Sequence, residues 1–99
     1  MSQQPSGTTP TTTDPELEIL LVEDNLMELQ GRVVTEKNNL YAAQKLRDKS
    51  DPGSAAEEAA EAEIDQICSN IDTYNEEIER LEAERRKLQL QISDRLRSR

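Results

Sequence analysis

The chain has no Phe, no Trp and no His, only two Tyr, and a single Cys. Without large aromatics it cannot line an ordinary globular core, so burial must come from aliphatic side chains in a narrow seam. Without His it lacks the side chain most often used as a general base or metal ligand near neutral pH. The lone thiol, Cys68, excludes an internal disulfide and fits a reducing compartment. Bases are scarce as well: 12 Lys and Arg stand against 21 Asp and Glu, a net charge of −9. That balance argues against nucleic acid as a partner, because phosphate contacts need clustered positive charge. No apolar run approaches the ~20 residues of a membrane span, and no signal-peptide pattern opens the sequence. A cytoplasmic location is therefore expected.

What is present is a heptad pattern. Ile64, Ile71, Ile78 and Ile92 share one core position, and Ile67, Tyr74, Leu81 and Leu88 share the other. The steps alternate three and four residues, which keeps one seam on one face of an α-helix. A coiled-coil helix of this kind needs a partner.

The rest of the chain supplies one. Residues 1–13 are Gln, Ser, Gly, Pro and Thr around the Thr-rich Thr8–Thr13 cluster and read as a disordered tail, open to use as a linker or phosphorylation target. Asp14-Pro15-Glu16 marks a helix start: Asp caps free N–H groups, Pro suits the first helical position, and Glu suits the positive end of the dipole. Helix one is expected over about 15–49, with Ile19, Val22, Leu26, Leu29, Val33, Glu36, Leu40 and Ala43 as its seam. Gly31 in its middle costs roughly 1 kcal/mol relative to Ala. Ser50-Asp51-Pro52-Gly53-Ser54 forms the turn, and Ser54-Ala55-Ala56-Glu57 is a capping box, with the Glu expected to reach back to the Ser54 N–H. Helix two is expected over about 55–97 and overhangs helix one, leaving Ile92 and Leu96 beyond its end.

A turn this short makes the helices antiparallel neighbours. The seams then pair in one register: Ile19 with Leu88, Leu26 with Leu81, Leu29 with Ile78, Val33 with Tyr74, Leu40 with Ile67, and Ala43 with Ile64. Charge supports the same orientation. Residues 14–28 carry six acids and no base, and residues 80–99 carry seven bases and three acids. Residues 31–49 carry five bases and two acids, and residues 51–79 carry ten acids and no base. Folding back sets acidic runs beside basic ones. The fold class is all-α: an antiparallel two-helix coiled-coil hairpin over 14–99 with a disordered N-terminal tail.

Helix one has a second apolar row. Leu20, Met27, Val34 and Tyr41 recur every seven residues, and a two-stranded seam does not require them. Either the row widens a core, in a four-helix dimer or under the overhang of helix two, or it docks another protein. Lys37, Asn38 and Lys45 give its lower part a polar rim.

Signs of catalysis are missing. The sequence has no phosphate-binding glycine loop and no nucleophile beside a base, and its carboxylates belong to solvated helix faces. Asp65 and Asp72 lack the spacing and central Gly of a calcium loop. Cys68, beside Ile67, is expected to pack as a small hydrophobe. The basic residues near the end of helix two complement its dipole. No catalytic residue, metal site or cofactor is expected.

Residues 33–91 resemble a known motif. Glu36-Lys37-Asn38-Asn39-Leu40-Tyr41-Ala42-Ala43-Gln44-Lys45-Leu46, a short polar turn, and then Asn70-Ile71 with Tyr74, Ile78, Leu81 and Leu88 are similar to the homology-region-one repeat, the Rho effector motif. It occurs in protein-kinase-C-related kinases and in membrane-remodelling adaptors of the TOCA and CIP type. Asp51-Pro52-Gly53-Ser54 is similar to the turn of the adaptor branch. Lys37-Asn38-Asn39-Leu40 stands where many kinase-type repeats carry Gly-Ala-Glu-Asn. The resemblance implies an antiparallel coiled-coil finger that binds a Rho-family small GTPase in its GTP form. It implies a protein-binding surface of Val34, Lys37, Asn38, Tyr41, Lys45 and Asp51.

The expected function is thus a non-catalytic signalling module that binds a small GTPase. The alternative is an obligate coiled-coil subunit of a larger helical assembly, such as a tether, cytoskeletal or chromosome-attachment complex. Its partner is then another helical protein, and a homodimer is a third option.

Overall fold

The computed structural model describes residues 14–98, and these form two helices. The expected tail, residues 1–13, lies outside the described residues. Helix α1 spans Pro15–Lys49 and helix α2 spans Ala55–Arg97.

Each helix starts where a side chain can satisfy free backbone donors. The Asp14 carboxylate accepts the Glu16 N–H at 3.0 Å. Its carbonyl accepts from Leu17 and Glu18, and Pro15 occupies the first turn. α1 ends at Ser50, whose backbone turns extended at ψ 152°. The Ser50 N–H donates to the Arg47 carbonyl and its hydroxyl to that of Leu46, at 2.7 Å. Two carbonyls left over at the helix end are thereby satisfied.

The reversal is built by Asp51-Pro52-Gly53-Ser54. The Ser54 N–H donates to the Asp51 carbonyl at 3.1 Å, and Gly53 takes φ 78°. Pro followed by a left-handed Gly is the pattern of a type II turn. Ser54 then caps α2, its hydroxyl accepting the Glu57 N–H at 3.2 Å. The Glu57 carboxylate accepts from Gly53 at 2.7 Å, not from Ser54 as the capping-box reading expects. The reason is that the Ser54 N–H is already committed to closing the turn.

The two helices pack antiparallel along the expected seam. On α1, Leu26, Val33 and Ala43 are buried, and Ile19, Val22, Leu29, Glu36 and Leu40 are half-buried. On α2, Ile67, Leu81 and Leu88 are buried, and Ile64, Ile71, Tyr74, Ile78 and Ile92 are half-buried. The narrow strip of covered residues follows from having one neighbour: a two-stranded seam shields only the facing positions. Ala60, one heptad before Ile67, is the most enclosed core residue at 1% exposure, and the sequence seam missed it.

Glu36 breaks the apolar seam, and its charge is accommodated. Asn70 of α2 donates to one carboxylate oxygen at 2.7 Å, and Asn39 donates to the other at 3.4 Å. Gln66 in turn donates to the Asn70 carbonyl oxygen at 2.9 Å. A hydrogen-bonded polar group inside a seam favours one register over its neighbours, because slipping by a heptad strands it.

Ion pairing is more local than the charge runs suggest. Among the described residues, the inter-helix pairs all involve Arg95, which lies 3.4 Å from Asp14 and 3.8 Å from Glu16. The other ion pairs lie within one helix, such as Glu28–Arg32 at 2.6 Å. The opposed runs therefore act as a field, not as a ladder of contacts. Arg95 closes the open end of the hairpin, where Glu16, Ile92, Arg95 and Leu96 line a small groove. Ile92 is half-buried there, so the overhang begins later than expected, while Leu96 remains 64% exposed.

The hairpin is elongated and flat, with principal extents of 68, 37 and 14 Å. No described helix is long and apolar enough to cross a membrane.

Candidate docking face

A seven-residue period keeps Leu20, Met27, Val34 and Tyr41 in one row along α1. The seam lies on another side of the helix, so α2 leaves this row uncovered. The four are 57%, 69%, 58% and 61% exposed, respectively. The overhang of α2 does not cover them, which removes that explanation of the row. Leu17 and Leu21 are exposed as well, Leu17 beside the N-terminal end of the row and Leu21 further round the helix. The sequence reading missed these two, although Leu17 lies one helical turn before Leu20 and Leu21 one turn after Leu17.

The expected binding residues distribute as follows. Val34, Lys37, Asn38, Tyr41 and Lys45 are all exposed and fall on one outer face of α1, with Val34 and Tyr41 in the row and the other three along its margins. The Lys45 ammonium stands 4.9 Å from the centre of the Tyr41 ring, one turn away, in cation–π geometry. Lys37 makes no ion pair among the described residues, so its charge is free for a partner. Asp51 is exposed, but it sits in the turn, past the end of α1, where its carbonyl serves Ser54. The structure therefore brings five of the six residues onto one helical face and sets Asp51 at its tip.

The opposite flank is occupied by charges that pair among themselves. Asn25, Glu28, Leu29, Arg32, Glu77 and Arg80 line a groove between the helices. Arg80 binds Glu77 one turn away with two guanidinium nitrogens. That hydrogen bond, reinforced by the charge of Arg80, holds the Glu77 carboxyl below its ordinary value of 4.5. The same bond pushes Arg80 up. Arg80 is exposed and Glu77 partly so, and solvent screening leaves the pair adding little to stability.

Cys68 corrects an expectation. It is exposed, not packed. Its position one residue after the buried Ile67 turns it away from the seam. Among the described residues no three His, Cys, Asp or Glu side chains converge on a point that could hold a metal ion.

No family model, curated protein or solved structure matches this chain. The outer face of α1 must be judged on its own chemistry. It carries apolar side chains at its centre and cations and an amide at its margin.

Proposed function

We propose that the hairpin is a non-catalytic protein-interaction module that docks its partner on the outer face of α1. The observation that carries this reading is the exposed row Leu20, Met27, Val34 and Tyr41, which the seam does not use. Four large apolar residues in register on one helix cost solubility and contribute nothing to a lone hairpin. In this reading α2 is the scaffold on which α1 is held.

The resemblance to the Rho effector motif points to a Rho-family small GTPase in its GTP form as the partner. Val34 and Tyr41 supply the apolar centre, and Lys37, Asn38 and Lys45 supply the polar margin. Recognition of the nucleotide state requires contacts that differ between the two switch conformations. Substituting Tyr41→Ala tests the face. The expected outcome is unchanged helicity and melting with binding weakened by about tenfold or more, in the range of an aromatic anchor. Equal loss of folding and binding contradicts the reading, because it makes Tyr41 part of the core.

A second reading is supported by exposed apolar residues elsewhere. Leu46 on α1 and Leu90 and Leu96 on α2 are each more than half exposed. In that reading the hairpin is a subunit of a larger helical assembly that covers several of its faces. A free chain that is poorly helical or aggregates without defined stoichiometry favours it.

A further inference from the structure

We infer that the outer face of α1 pairs with the same face of a second copy of this chain, giving an antiparallel, two-fold symmetric dimer of hairpins. The argument is self-complementarity. In one antiparallel register Leu20 meets the partner's Tyr41 and Met27 meets the partner's Val34, so all four row residues are used. The row from Leu20 to Tyr41 is roughly 32 Å long at ~1.5 Å per residue.

The flanks fit the same register. A two-fold axis of this kind sets each flank of the row against the same flank of the other copy. On one flank lie Glu23, Gln30 and Lys37: Glu23 meets the partner's Lys37, twice by symmetry, and the two Gln30 side chains meet at the axis. Neither Glu23 nor Lys37 has an ion-pair partner among the described residues of the hairpin, so both charges are free. On the other flank Asp24 meets the partner's Asn38, and the two Gly31 residues meet at the axis.

Gly31 gains a purpose here. It lies mid-helix, where Gly is unfavourable, and a Cβ at this site would meet nothing within 4 Å. Nothing in the single hairpin asks for it. At the two-fold axis the missing side chain lets the two helices approach closely. A parallel pairing fails on charge, because it sets Glu23 against the partner's Asp24. The dimer shares Val34 and Tyr41 with the docking face proposed above, does not rest on that reading, and competes with such a partner.

The test is sedimentation equilibrium of the full chain across micromolar concentrations, with circular dichroism as the folding control. The wild-type mass is expected to rise from 11.2 kDa towards twice that value. Glu23→Lys or Lys37→Glu alone should weaken association by about tenfold, because each turns two attractive contacts into repulsive ones. The double variant E23K/K37E should restore it. A helical chain that stays monomeric, a mass beyond a dimer, single variants that leave association unchanged or lose helicity, or a double variant without rescue overturns the inference. A monomer that binds a GTPase removes the self-pairing alone. A charge-dependent dimer that binds none removes only the GTPase reading.

Discussion

The row residues and the seam residues are the same chemical types, and only their position decides what each contributes. Leu81 is buried at 7% exposure and Leu90 stands at 63%. Truncating each to Ala separates the two environments. Leu81→Ala should cost ~2–4 kcal/mol by chemical denaturation, since it removes contacts and leaves a void in a thin seam. Leu90→Ala should stay within about 0.5 kcal/mol. Position was legible for most seam residues because a three-four spacing converts directly into a helix face. It was not legible for Ala60, which sits among Ala55, Ala56, Ala59 and Ala62 where no periodicity singles it out, nor for Cys68, whose neighbour Ile67 faces inward while it faces out. The choice of Asn70 as the partner of Glu36 was also hidden, because polar pairing depends on side-chain reach across the seam, not on periodicity. Glu77 gives a residue-level pH prediction. Its folded pKa lies below its ordinary 4.5, so its contribution is present above that value and is lost as the pH falls through the folded pKa. An NMR titration should place its midpoint below 4.5, and Arg80→Ala should bring it back up.

At the level of the helices, the ends are set by a few side chains and the middles by the seam. Ser54 links both, since it closes the turn with its N–H and caps α2 with its hydroxyl. Ser54→Ala should cost ~1 kcal/mol, read as a lower denaturation midpoint with an unchanged slope. The larger loss expected of a broken turn does not follow, because the backbone bond from residue 54 to Asp51 survives the substitution. The antiparallel arrangement was legible from the turn chemistry and from the opposed charge runs. The detail of the charges was not: the runs predict opposition along the whole hairpin, whereas the inter-helix pairs described gather on Arg95 at the open end. Flexible surface charges favour neighbours one turn away on their own helix, where holding the pair costs less side-chain entropy.

For the whole molecule the question is what the hairpin presents to others. A hairpin built on one narrow seam has most of its surface left over, and α1 spends part of that surface on apolar residues that its own partner helix does not cover. The sequence showed this row but could not decide between core and surface, because both readings share the same period. The folded hairpin leaves the row open, and the central proposal is that a Rho-family GTPase in its GTP form docks on it. Calorimetric titration of the full chain against Rho-family GTPases, each loaded with a non-hydrolysable GTP analogue or with GDP, tests that claim most directly. The expected result is saturable binding to a GTP-analogue form, weak or absent binding to the GDP form, and loss of binding in Tyr41→Ala with helicity retained. A fully helical chain that binds no GTPase in either state contradicts it.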